Sequence, residues 1–162
     1  MTFRIYLADL SAYTKGELIG KWVDLPCADL SAELESVVGE NNEFFIPDYV
    51  NNWGIHVDKY DNVDALNNLA QQLQDIESEG DGDWLRAFAE ACANDVEYAL
   101  KHFRDGSYFY PEASLEEVAE SFVALGYNIP KGLECYIDYK AYARDLVYDG
   151  FVETRWGVIE VL

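Results

Sequence analysis

Hydrophobic and polar residues alternate at the start of the chain. Phe3, Ile5 and Leu7 are separated by Arg4, Tyr6 and Ala8, which is the period of a strand with one buried face. The segment from Leu18 to Leu25, holding Ile19, Trp22 and Val23, predicts a second strand, with Lys15-Gly16 in the turn before it. Asp29 is placed to cap a short helix whose Leu30, Leu34, Val37 and Val38 share a face, with Gly39 as its stop. Phe44, Phe45 and Ile46 predict a third strand ended by Pro47, and Asn51-Asn52-Trp53-Gly54 predicts a loop.

The period lengthens at Asp61. Val63, Leu66, Leu69, Leu73 and Ile76 recur at helical spacing, with Asp64, Gln71 and Asp75 on the opposite face. Small and acidic residues from Glu77 to Asp83 read as an extended hinge. One long helix is predicted over 83–103, burying Trp84, Leu85, Phe88, Cys92, Val96, Ala99 and Phe103. Asp83, Glu90 and Glu97, seven apart, line its other face. Ser114-Leu115-Glu116-Glu117 is a capping box, and it opens a helix that buries Leu115, Val118, Phe122 and Leu125 and stops at Gly126. A tyrosine-rich helix is predicted over 130–148, then a terminal hairpin of Phe151 to Thr154 and Val158 to Leu162 around Arg155-Trp156-Gly157. The class is α+β in three parts: a small mixed α/β domain over 1–60, a central helical acidic domain over 61–106, and helices with a small sheet over 107–162.

Charge changes this picture most. The chain has 31 Asp and Glu against 11 Lys and Arg, a net charge of −20 over 162 residues. Half the residues are hydrophobic, with 4 Trp, 12 Tyr and 8 Phe, so the acid sits on a folded surface and not on a disordered tail. Such a surface repels nucleic acid and anionic membrane and attracts basic surfaces. Duplex DNA carries one charge per about 1.7 Å, so this excess corresponds to roughly 34 Å of duplex, about ten base pairs. A protein that normally holds DNA is the partner class this suggests. The acids are unevenly spread: positions 22–85 contain fifteen of them and one base, Lys59.

Motif-based chemistry is sparse. His56 and His102 lack metal-hydrolase spacing, and Gly-rich phosphate loops and nucleophile elbows are absent. A calcium loop begun at Asp75 places Arg86 where a bidentate Glu belongs. Cys27, Cys92 and Cys135 are widely spaced and make no CxxC, which points to a reduced, cytoplasmic protein with Cys92 as a small core residue. The N-terminus reaches Asp9 too early for a signal peptide. No catalytic, cofactor or metal residue is assigned. The candidate site is collective: Asp58, Asp61, Asp64, Asp75, Glu77, Glu79, Asp81, Asp83, Glu90, Glu97, Glu116, Glu117 and Glu120 as an array of carboxylates. Glu77, Glu79, Asp81 and Asp83 on an extended segment would be spaced by about 6.6 Å.

Two ends of the chain carry a resemblance. Ile5-Tyr6-Leu7-Ala8-Asp9-Leu10, Tyr13, Gly16-Glu17-Leu18-Ile19-Gly20 and Trp22 resemble the beginning of the ArdA antirestriction proteins. Tyr136-Ile137-Asp138-Tyr139-Lys140-Ala141-Tyr142, followed by Ala143-Arg144-Asp145-Leu146, resembles that family's most recognisable segment. Phe45-Ile46-Pro47-Asp48-Tyr49 and the helix opening Asp61-Asn62-Val63 keep the same order of elements. The resemblance implies an elongated row of three small domains, a homodimer formed through the C-terminal domain, and carriage on a mobile genetic element. It implies mimicry of bent B-form DNA in the groove of a type I restriction–modification methyltransferase core, with no cofactor, no nucleic acid and no membrane bound. Tyr136, Tyr139, Tyr142, Phe151 and Trp156 are the candidate dimer residues, since aromatics are enriched at interface cores. Two other readings stand beside it: a generic acidic module that sequesters another basic DNA-binding protein, and a carboxylate–metal hydrolase built on the acidic hinge.

Overall fold

A computed structural model describes residues 2–38 and 43–162; the expected stop Gly39 lies outside them. Contacts group the chain into two units, Met1–Gly80 and Asp81–Leu162. The boundary falls in the acidic stretch after the first long helix.

In the first unit the alternating N-terminal pattern becomes β1 (Phe3–Asp9), which sits between β2 (Gly20–Asp24) and β3 (Phe44–Asn51), both antiparallel to it. Phe3, Ile5, Leu7 and Val23 turn inward and are buried. A helix that the strand-then-turn reading did not include, α1 (Leu10–Thr14), follows β1 directly. Its start is the buried Asp9, whose carboxylate accepts the Ala12 N–H at 2.9 Å.

Pro47 does not end the third strand, because β3 runs through it to Asn51. The pairing jumps from Tyr6 opposite Asp48 to Ala8 opposite Phe45, so Ile46 and Pro47 together face Leu7. That bulge lies on an edge strand, where a residue without an N–H is tolerated. Between β2 and β3 lies α2 (Leu30–Glu35), capped by Asp29 as expected. After β3 comes α3 (Val63–Glu79), capped by Asn62 and stopped by Gly80 at φ 90°. It buries Val63, Leu66, Ala70, Leu73 and Ile76, with Ala70 taking the place expected of Leu69. Asn67 holds the chain after β2 by accepting the Cys27 N–H at 2.7 Å and donating to the Cys27 carbonyl at 3.0 Å.

In the second unit the single helix expected over 83–103 is two: α4 (Gly82–Ala91) and α5 (Val96–Gly106). Ala93 and Asn94 adopt left-handed φ angles of 58° and 63°, and Asp95 then caps α5 by accepting the Tyr98 N–H at 2.9 Å. Cys92 is consequently the half-buried cap of α4 rather than a core residue within a helix. A strand absent from the sequence reading, β4 (Ser107–Pro111), joins the terminal hairpin of β5 (Phe151–Thr154) and β6 (Gly157–Val161). The sheet order is β4-β6-β5, all antiparallel. Between these strands lie α6 (Leu115–Gly126) and, in place of one helix over 130–148, a short 3-10 turn at Glu134–Tyr136, α7 (Tyr139–Leu146) and a second 3-10 turn. Asp138 caps α7 by accepting the Ala141 N–H at 3.0 Å, which sets where the helix starts.

Strand alternation divides the helices between the two faces of this sheet. Tyr110, Val158 and Phe151 face α6 and α7 and pack with Val118, Ala119, Ala143 and Leu146. Ser107 and Ile159 face the other way, toward α4 and α5. There the Trp84 Nε1–H donates to Ser107 Oγ at 2.9 Å, and Ser107 donates to the Phe103 carbonyl at 2.6 Å. Gly157, at φ 137°, closes the hairpin where any Cβ would lie 2.2 Å from the Tyr110 oxygen.

A candidate acidic binding surface

None of the thirteen candidate carboxylates is buried. Asp58, Asp64, Asp75, Glu79, Asp83, Glu97, Glu117 and Glu120 are exposed, and Asp61, Glu77, Asp81, Glu90 and Glu116 are half-buried. Keeping the acids outside avoids the desolvation cost of burying charge.

The elements arrange them differently from the extended hinge. Asp64, Asp75, Glu77 and Glu79 all ride on α3. Asp64 and Asp75 are eleven residues apart, which on a helix means roughly 16 Å of rise and about 20° of rotation, so they share a face. Glu77 and Glu79 occupy the last turn of α3, Asp81 directly precedes α4 without a side-chain capping bond, and Asp83 lies in its first turn. The even 6.6 Å ladder is thus replaced by acids at a helix end and a helix start. The same placement removes the calcium-loop reading, because Asp75 to Glu79 are helical and cannot wrap an ion. Among the described residues no group of three or more His, Cys, Asp or Glu side chains is arranged to hold a metal ion.

Asp58, Asp81, Asp83 and Glu90 each face a basic group. Arg104 donates to Asp81 at 2.8 Å, Arg86 approaches Asp83 at 3.5 Å and Arg155 approaches Glu90 at 3.5 Å. His56 Nε2 lies 3.2 Å from Asp58. The Asp83–Arg86 pair was legible as an i,i+3 spacing. The Arg104 and Arg155 pairs join residues far apart in sequence, and no local pattern marks them. Break of the long helix also separates Glu90, on α4, from Glu97, on α5.

Glu116, Glu117 and Glu120 crowd the first turns of α6. The helix dipole favours negative charge there, which offsets part of the like-charge repulsion between Glu116 and Glu120. Glu117 accepts the Ser114 N–H at 2.8 Å and its hydroxyl at 2.9 Å, completing the capping box. These bonds, backbone first, hold the Glu117 carboxyl below its ordinary value of 4.5. A carboxyl lowered by folding stabilises the native state above its unfolded pKa, and the gain is lost as pH falls through the lowered value. Replacing Ser114 by Ala is expected to lower the melting temperature by a few degrees at pH 7. The deficit should shrink as the pH is taken below 4.5; melting curves across that range check it.

The candidate dimer residues fall into two sets. Phe151 fills the core of its own unit against Tyr110 and Phe122, with ring centroids 6.1 and 5.7 Å away, and Tyr142 packs partly on the same core. Tyr136 is 80% exposed, while Tyr139 and Trp156 are half-buried. Residues outside the sequence-based set add to the exposed apolar surface: Leu125, Tyr127, Leu133, Val147 and Tyr148.

The family model described as antirestriction protein (ArdA) matches residues 5–160 of the chain. No curated protein matches it.

Proposed function

This chain belongs to the ArdA antirestriction family, and from that premise we propose that it inhibits type I restriction–modification enzymes by presenting its carboxylates as a mimic of B-form DNA in their binding groove. The observation that carries the reading is the combination of fifteen acids against one base over 22–85 with candidate carboxylates none of which is buried. A folded scaffold holds these charges in fixed positions, so a Lys- and Arg-lined groove meets them much as it meets phosphates. The protein acts by occupancy and performs no turnover. In this proposal the parts 1–60, 61–106 and 107–162 follow one another along the mimic. Two copies join through the exposed apolar surface of the last part, in the cytoplasm, where incoming DNA meets restriction enzymes.

Competition tests it. A type I methyltransferase core is mixed with a fragment bearing its recognition site, and this protein is added. The DNA should be displaced, and excess DNA should reverse the effect. Inhibition should need neither ATP nor divalent metal and should reach a fixed stoichiometry. A complex holding DNA and this protein together on one enzyme would overturn mimicry and leave the generic acidic module. Inhibition that grows with time and requires a metal would return the hydrolase reading.

A further inference from the structure

The acid is not spread over the whole first unit. Residues 2–23 carry Arg4, Lys15 and Lys21 against Asp9 and Glu17, and Asp9 is buried as the cap of α1. From residue 24 to 85 the count is fifteen acids to one base. The change of sign falls within one strand, at the end of β2.

The outward face of the β2-β1-β3 sheet straddles this change: β1 and most of β2 lie before it, and Asp24 and β3 lie in the acidic run. Its register sets Tyr6 beside Trp22, Arg4 beside Asp24, and Val50 beside Arg4 on the other side. Gly20 lets the Tyr6 ring lie across β2, since a Cβ there would sit 2.8 Å from the ring. Trp22 stands edge-on to Tyr6 with centroids 5.5 Å apart. Arg4 lies over Trp22 at 5.4 Å and bonds Asp24 at 2.7 Å. The rings and the carboxylate at this place therefore already hold one guanidinium. On this face Trp22 stays 37% exposed and Val50 50%, and Leu18, two residues before β2, is 61% exposed.

A mimic that supplied only charge would be screened by salt as the DNA backbone is. We propose that this face is an apolar anchor on the same basic DNA-binding protein, beside the groove that takes the acids. The inference rests on the mimicry reading. Charge complementarity selects the occupant. A basic partner drawn to Asp24, Asp48 and the acidic run they belong to is delivered next to Trp22. The stems of its Lys and Arg side chains lie on the rings and Val50, and their heads reach Asp24 and Asp48.

The experiment measures binding to a type I methyltransferase core at about 0.1 M and about 1 M salt, where charges are screened over about 10 and about 3 Å. The proteins are the wild type, Trp22→Ala with Leu18→Ser, and Val50→Ser on the opposite edge strand as a separate variant. Melting curves and sedimentation accompany each. Trp22→Ala with Leu18→Ser should weaken binding about tenfold at both salts, leaving the salt slope unchanged, and Val50→Ser should weaken it in the same pattern. Folded variants that bind as the wild type does at both salts overturn the anchor. So does a loss confined to low salt, or a change in the oligomeric state of the free protein, which would make the face a contact between copies. If the wild type itself fails to displace DNA, mimicry falls first. If it displaces DNA and the variants bind unchanged, only the anchor falls.

Discussion

Replacing Asp64, Asp75, Glu97 and Glu120 together by their amides is expected to cut inhibition of a type I enzyme by roughly five- to several-hundred-fold, while each single replacement changes it by only a few-fold. All four are exposed, and they lie on α3, α5 and α6. An exposed ion pair is worth about 0.2–1 kcal/mol, so one loss is small and four combine to about 1–4 kcal/mol. The choice of residues follows from the structure. Glu90 is paired with Arg155, and Glu117 is part of the α6 capping box, so changing either perturbs the fold as well as the charge. The combined variant should also show a shallower salt dependence. If one of the four single amides abolished inhibition, a distributed mimic would be the wrong description and a single anchoring contact would replace it.

Placing glutamate at Leu133 and Tyr136 together is expected to convert the proposed homodimer into single chains and to weaken inhibition by about a hundredfold. Both side chains are exposed, at 55% and 80%, next to a 3-10 turn whose burial in the protomer is slight. Apolar area of this kind is stabilised by a second copy, and glutamates facing each other across it repel. Two joined copies engage a groove with the second contact made intramolecularly, which typically strengthens binding by about 10²–10⁴. On the mimicry proposed above, a single chain also covers only about ten base pairs by the charge measure. Sedimentation at micromolar concentration, with circular dichroism to confirm folding, decides the matter. A wild-type protein that sediments as one chain would overturn the dimer.

Local signals in the sequence were read correctly where one residue type has one local job. Asp29 and the Ser114–Glu117 box cap the helices they were expected to cap, and the alternation of Phe3, Ile5 and Leu7 made a strand. The apolar repeat marks the long helix from Val63, while its last residues, Glu77 to Glu79, lie beyond that repeat and read as hinge. Errors came where two local rules competed. The apolar face over 83–103 continues across Ala93 and Asn94, so periodicity hid a break that the Asn94-Asp95 stop-and-cap pair announced. Pro47 read as a terminator because its tolerance depends on lying at an edge, and edges are not written in one strand's own residues.

The amino-acid sequence alone determined the charge, its concentration in residues 22–85, the class of the fold and the antirestriction family, since each is a sum or an order of residues along one line. Tertiary structure alone decided which acids stand clear of a cation. Arg104 reaches Asp81 and Arg155 reaches Glu90 only because α4, α5 and the β5–β6 turn are folded onto one another. It also decided that Phe151 belongs to a core while Tyr136 faces outward, and that Tyr6, Trp22 and Val50 meet on one face of a sheet. Pairings across tens of residues depend on which strands become neighbours, and that choice is made by burial of the whole core rather than by any local pattern.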